Sequence, residues 1–268
     1  MEGACSGQAP VPDAGFDLLL VLLAAFGAGL VDAMVGGGGL IQLPALLSAF
    51  PATAPPILLG TNKFASVFGT GSAVLRYARG VTIPWRTLAP LLPVVFFGAL
   101  AGAWFATRVP PDLFRPLVPV LMAVVLAYVL WRKDLGVRHA PVVQDRRGWL
   151  LATGLLGLVA FYDGFFGPGT GSLLMLLFVR LHGYDFLHSA ASARLLNVAT
   201  NIGALLYFGT RVEILWTLGA GMAVANVVGA AVGVGIAMRH GSGLVRRIFV
   251  VVVAALIVRT AWQAYFGP

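Results

Sequence analysis

The sequence predicts an all-α integral membrane protein made of two inverted-topology repeats. Composition is the first reason. Of the 268 residues, 59% are hydrophobic and only 10% are charged, against about 25% charged in an ordinary soluble protein. Mean hydropathy is +0.91. The second reason is internal repetition: Asp163 lies 131 residues after Asp32, and the chain around it matches at that offset. Asp32-Ala-Met-Val-Gly36-Gly37-Gly38-Gly39 stands opposite Asp163-Gly-Phe-Phe-Gly167-Pro-Gly169-Thr170. With no gap, Lys63 faces Arg194, Trp85 faces Trp216, Gly98 and Gly102 face Gly229 and Gly233, Arg108 faces Arg239, and Trp131 faces Trp262. The third reason is that both copies break their apolar pattern at the same place, the arrangement of repeat-built transporters.

The first half opens with an apolar run over 18–35, then the glycines 36–39, then a short run over 40–50. Pro51, Pro55 and Pro56 interrupt it, and three longer segments follow at about 57–77, 88–107 and 116–131. Each is near the ~20 residues that cross ~30 Å of hydrocarbon. The second half repeats the plan with 149–166, the break at 167–171, a short run over 172–181, and then about 187–208, 215–238 and 248–264. The short runs suit half-helices or re-entrant segments. Whether 40–50 and 172–181 span fully or re-enter stays open at this stage. Each half therefore holds a glycine-broken or re-entrant pair plus three spanning helices, eight to ten membrane segments in total. A re-entrant pair crosses zero times and a spanning pair twice, so each half crosses an odd number of times and the halves face opposite ways. The chain reads as a single transporter domain over 1–268, with repeat one at about 17–131, repeat two at about 149–264, and a polar hinge at 132–148.

Positive charge gives the orientation, because cytoplasmic loops collect Lys and Arg. With the N-terminus outside, the inside loops hold Arg76, Arg79, Arg86, Arg132, Lys133, Arg138, Arg146, Arg147, Arg180, Arg239, Arg246 and Arg247. The outside loops hold Arg108, Arg115 and Arg211, beside Asp112 and Glu213. Both termini are then outside. The net charge of +8 is thus read as membrane topology and not as nucleic-acid binding. The one cysteine, Cys5, excludes a disulfide framework or a cysteine metal site. The tail over 1–17 carries no Lys or Arg, so the first apolar run is expected to be a retained helix and not a signal peptide.

The glycine clusters are the first candidate site residues. Four successive glycines are poor helix interior, at roughly 1 kcal/mol each relative to alanine. Broken backbone at membrane depth survives only inside protein or along a cavity. The helix that follows offers free N–H groups and a partial positive charge, which together suit an anion. Gly36, Gly37, Gly38, Gly39, Gly167, Gly169 and Gly171, with the hydroxyls of Thr170 and Ser172, are therefore expected to bind substrate. Close helix packing is the competing reading. Lys63 and Arg194 each sit about seven residues into a spanning segment, where a charge costs ~2.5–3.5 kcal/mol. Together they suit one anion near the midplane. Asn62, Asn197 and Asn201 are expected to orient it, with Ser66, Thr70 and Ser72 as polar neighbours. Asp32 and Asp163 precede the breaks and are expected either to move protons or to pair with the two cations. His139, His182, His188 and His240 fall in loops or at helix ends without metal-ligand spacing, and no metal site or cofactor is expected. Trp85 and Trp216 read as interfacial anchors.

On these residues the sequence resembles the sulfite exporter TauE/SafE family. The carrying motifs are Asp32 to Pro44 (DAMVGGGGLIQLP), Gly60-Thr61-Asn62-Lys63-Phe64-Ala65, Gly167-Pro168-Gly169-Thr170-Gly171-Ser172 and Arg194-Leu195-Leu196-Asn197. The resemblance covers nearly the whole chain. It implies transport of sulfite, sulfoacetate or other organosulfonates, and some members of the family move unrelated anions. Arg194 stands where many relatives carry a lysine; it keeps the charge and adds a planar fork suited to a bidentate oxyanion. The expected function is a secondary transporter exporting a small sulfur-containing anion across the inner (cytoplasmic) membrane by alternating access. An anion channel, or a permease for another small carboxylate or inorganic anion, is the alternative. A membrane-embedded enzyme has less support, because no nucleophile–base pair or metal cluster falls in the spans. Expected partners are the anion and the lipid bilayer. A homodimer is left open, and no nucleic acid is expected.

Overall fold

The glycines and prolines that interrupt the apolar pattern also divide the structure. The computed structural model describes residues 16–110, 139–142 and 144–240, with scattered positions within 113–127 and 254–262. Every regular element among the described residues is a helix. Helix α1 (Phe16–Val35) runs into the first glycine cluster, and α2 (Gly39–Ala49) follows it. Helix α3 (Pro55–Tyr77) starts on the proline pair, where the missing N–H costs nothing and φ is already helical. Next come α4 (Trp85–Leu88) and α5 (Leu91–Ala106). The second half begins with α6 (Arg146–Phe165), capped by Asp145, whose carboxylate accepts from the Gly148 N–H at 2.8 Å. Helix α7 (Thr170–His182) ends on Gly183 with φ +69°, a left-handed residue of the kind that closes helices. Asp185 caps α8 (Phe186–Arg211), and α9 (Trp216–His240) follows. The expected segments at 116–131 and 248–264, and most of the hinge, lie outside the described residues, as do Cys5 and the loop charges from Asp112 to Arg138.

Two boundaries differ from expectation. The segment expected over 88–107 is α5, starting at Leu91, with the short α4 ending at Leu88 ahead of it; Pro90 between them cannot donate a helical hydrogen bond. The segment expected from 149 begins three residues earlier, because Asp145 supplies the cap.

Among the described residues, three helices are long and apolar enough to cross a membrane by themselves, over Leu18–Val35, Arg146–Phe165 and Trp216–Arg239. Helices α3 and α8 are as long, at 23 and 26 residues, but carry the polar residues of the candidate site. With 11 and 13 residues, α2 and α7 extend only about 16 and 20 Å at 1.5 Å per residue. They fall short of a full span, and each packs against the helix before it.

Packing follows the repeat. Helix α1 lies along α9 and α6 along α5; α3 packs on α9 and α8 on α5; α3 and α8 pack on each other. Moving every helix to its counterpart 131 residues away leaves this pattern unchanged. Glycines set the close approaches. A Cβ at Gly229 or Gly233 would strike the α1 backbone at Phe26 or Leu30, and one at Gly98 or Gly102 would meet α6 at Gly157 or Phe161. For these four glycines, helix packing is the role the structure shows.

Candidate anion site

The two glycine breaks meet each other. Gly36 joins α1 to α2 with φ +86°, and Gly167 and Gly169 join α6 to α7 with φ +97° and +80°. These angles strain any residue with a Cβ. Gly36 is also fixed by space, since a Cβ there would collide with the backbone of Gly171 and Ser172. The breaks are tied together. The Ser172 N–H donates to the Gly36 carbonyl at 3.0 Å, and its hydroxyl donates to the Val35 carbonyl.

Around this junction lie two ion pairs. Lys63 Nζ is 2.9 Å from Asp163 Oδ1, and both side chains are 2% exposed. Arg194 Nε is 3.7 Å from Asp32 Oδ2, with the arginine fully buried and the acid 18% exposed. Each acid therefore pairs with the cation of the other repeat, and the 131-residue shift converts one pair into the other. The pairs differ in strength. Asp163 also accepts from Asn197 Nδ2 at 3.5 Å, and Asn201 Nδ2 donates on to Asn197 Oδ1 at 3.4 Å. Asp32 has the Gly38 N–H at 3.4 Å. Arg194 reaches Met175 Sδ at 3.8 Å through Nη2, while its Nε and Nη1 donate to no acceptor among the described residues. A buried charge normally has its hydrogen bonds filled, so this guanidinium is under-satisfied.

Between the pairs is a cavity of about 30 Å³, room for two or three waters at ~10–15 Å³ each. Asp32, Asp163, Lys63 and the three predicted asparagines, Asn62, Asn197 and Asn201, face it. So do Gly36, Gly38, Gly39, Gly167, Gly169, Thr170 and Gly171, at the starts of α2 and α7. The Asn62 Oδ1 has no partner among the described residues. Thr170 lines the wall, but its hydroxyl closes the turn by donating to the Gly167 carbonyl at 2.7 Å. Three predicted residues are not in the wall. Gly37 is outside it, Ser172 is turned to Val35, and Arg194 stands behind Gly171, where an added Cβ would sit 2.6 Å from Nη1.

The expected neighbours Ser66 and Thr70 also line the cavity. The repeat pairs them with Asn197 and Asn201. Sequence reasoning missed Ala28 on α1 and Asn226 on α9. Asn226 is buried and donates to Gln42 Oε1 at 2.8 Å. Its signal was a lone amide inside an apolar span. Its repeat counterpart is Val95, so the internal match passed over it.

An all-α chain with broken helices meeting around buried ion pairs is a membrane transporter in architecture. The chain belongs to the sulfite exporter TauE/SafE family, whose profile matches residues 21–260. Among curated relatives it is similar to the probable membrane transporter protein ORF9 of a Sinorhizobium species, at 38% identity over 254 residues, 92% of this chain and 94% of that one. The probable membrane transporter protein YfcA of Escherichia coli K12 is 33% identical over 240 residues, 89% of this chain and 87% of its own. A probable membrane transporter protein of Haemophilus influenzae is 35% identical over 244 residues, with 89% and 92% covered. No solved structure matches the chain.

Proposed function

We propose that the protein is a secondary transporter that exports a small sulfur oxyanion across the cytoplasmic membrane by alternating access between two inverted halves. The observation that carries this reading is the cavity at the junction of the two glycine breaks, with Lys63 in its wall and the under-satisfied Arg194 directly behind it. Its volume of about 30 Å³ favours sulfite, or an ion of similar size, over a longer sulfonate such as sulfoacetate. The two cations and two acids sum to zero charge, so the anion enters by taking a carboxylate's place beside a cation. Asp32, with the longer pair and the greater exposure, is the acid that yields first. If transport is coupled to protons, the displaced carboxylate is the group that carries one. Arg194 becomes available once the Gly36–Gly171 contact parts, which is the motion that rocking of the halves supplies.

The test is a thermal-shift screen of the purified protein against sulfite, sulfate, sulfoacetate, taurine and acetate. A ligand of the folded state stabilises it by about 2.7 kcal/mol at a hundred times Kd. Sulfite is expected to raise the midpoint most. If no anion shifts it beyond chloride at matched ionic strength, the reading fails. In proteoliposomes, saturable counterflow of labelled sulfite separates a carrier from a channel.

A further inference from the structure

We propose that His139, Asp185 and His188 form a binding site for one divalent transition metal of the zinc class, where the inter-repeat hinge meets the start of α8. Nothing in their spacing announces it, because His139 is 46 residues before Asp185. The fold brings them together. The hinge is pinned to the α7–α8 turn by the Ala140 N–H donating to the Gly183 carbonyl at 2.9 Å and the Val142 N–H donating to the His182 carbonyl at 3.0 Å. Gln144 Nε2 adds a bond to the Leu181 carbonyl at 2.8 Å. The His139 ring stacks on Tyr184, with centroids 5.7 Å apart, and lies 4.1 Å from the His188 ring. Two chain segments are thus held in fixed register, with one imidazole supplied by each.

One ligand atom from each of the three residues can be chosen so that all lie within 4.8 Å of one another. His188 Nδ1 is 2.9 Å from Asp185 Oδ1, and His139 Nδ1 is 3.6 Å from Asp185 Oδ2. Ligands about 2.0–2.1 Å from a tetrahedral zinc are separated by about 3.3 Å; each imidazole is near that distance from one of the two carboxylate oxygens, and the three residues, within 4.8 Å of one another, would draw together slightly on an ion. Two imidazoles and a carboxylate are donors that zinc accepts readily, with the fourth position left to water. The donors also have support behind them. Asp185 Oδ1 accepts from the His188 backbone N–H at 2.8 Å, which fixes the carboxylate as the α8 cap. The Asp185 N–H lies 3.3 Å from His139 Nδ1, a long contact that a metal at that nitrogen would replace. The three side chains are about one-quarter to one-third exposed, which gives an ion a way in. Bound metal would clamp the hinge to α8, the helix that carries Arg194, Asn197 and Asn201 six to thirteen residues further on. By the arginine distribution this is the cytoplasmic face.

The experiment is a zinc titration of the full-length protein, purified in detergent without a polyhistidine tag and followed by calorimetry. One saturable site per chain is expected. His139→Ala and His188→Ala are each expected to weaken it at least about tenfold, since even supporting residues around a metal cost that much. Both variants keep the His188 backbone N–H that the Asp185 carboxylate caps, and His182→Ala, outside the ligand set, is expected to bind as the parent does. Cobalt(II) provides the second readout: the parent should show the visible absorption of tetrahedral coordination, and His188→Ala should lose it. The proposal is overturned if the parent takes up no zinc saturably, or if the double variant His139→Ala/His188→Ala binds zinc or cobalt as the parent does.

Discussion

Replacing Lys63 by methionine removes a charge from a pair whose members are 2.9 Å apart and 2% exposed. At an effective dielectric of about 20, that separation corresponds to about 6 kcal/mol of attraction. Desolvation of two ions costs several kcal/mol each, so the intact pair contributes little net stability. The single variant is different. It leaves the buried Asp163 carboxyl without its counter-ion, with the Asn197 amide at 3.5 Å to meet it. The expected loss is about 3–5 kcal/mol, on the order of 10 °C in the unfolding midpoint for a chain of this size. Asp163→Asn alone strands Lys63 in the same way. The double variant Lys63→Met/Asp163→Asn strands no charge and is expected to recover most of the loss, within about 1–2 kcal/mol of the parent, because a neutral replacement of a buried pair is often tolerated. Thermal unfolding in detergent reads all four proteins as a double-mutant cycle. If the two losses simply add, the pair does not hold this junction and the reasoning is refuted. The double variant also separates stability from function. It is expected to fold yet to show no stabilisation by sulfite; a sulfite shift equal to that of the parent would remove Lys63 from the proposed anion site.

Two further predictions test the junction. Gly36→Ala is expected to lose about 1–3 kcal/mol from the left-handed backbone alone and more from collision with Gly171 and Ser172, whereas Gly71→Ala, with nothing within 4 Å of its Cβ, should unfold at or slightly above the parent's midpoint. Equal midpoints for the two variants would show that the breaks do not need to touch. Asp32→Asn removes the carboxylate that faces Arg194, so the ligand-free protein should unfold earlier. Its sulfite affinity, by calorimetry, should rise about tenfold or more, because a carboxylate 3.7 Å from Arg194 no longer competes for the cation, and a tenfold change needs only about 1.4 kcal/mol of the Coulomb attraction at that distance. An unchanged or weaker affinity means that Asp32 does not compete with the anion.

Much of this was legible because a few residues are too costly to place in a membrane without a reason. Four glycines in a row, and single cations deep in apolar segments, mark positions 36–39, 63 and 194 in any reading. The 131-residue match then pairs them without a structure. Which acid meets which cation was not legible. Lys63 meets Asp163, 100 residues on, only because α3 and α8 pack face to face, and a local pattern carries no information about that crossing. Asn226 was missed for the opposite reason. It breaks the repeat, so a reading led by internal symmetry looked past it. The start of α5 at Leu91 was expected three residues earlier, because hydropathy marks where an apolar run begins and not where Pro90 lets the helix start. The His139–Asp185–His188 cluster joins the hinge to α8 through two backbone bonds to a turn, a tertiary link that spacing does not encode.

The crossed pairs bear directly on how such a site changes state. Had each acid paired with the cation of its own repeat, the two halves could move relative to one another without disturbing either pair. Because Asp163 meets Lys63 and Asp32 meets Arg194, any rocking of one repeat against the other must stretch both. Coulomb attraction falls with distance, so the 3.7 Å pair, already beyond hydrogen-bond reach, yields before the 2.9 Å pair. An anion that takes over from Asp32 beside Arg194 removes the weaker restraint, and does so only where Gly36 and Gly171 can separate to admit it. In the proposed cycle, the residues that meet the ion would also release the halves. Binding energy spent on the site would become, in the proposed alternating-access cycle, the differential energy between its two states.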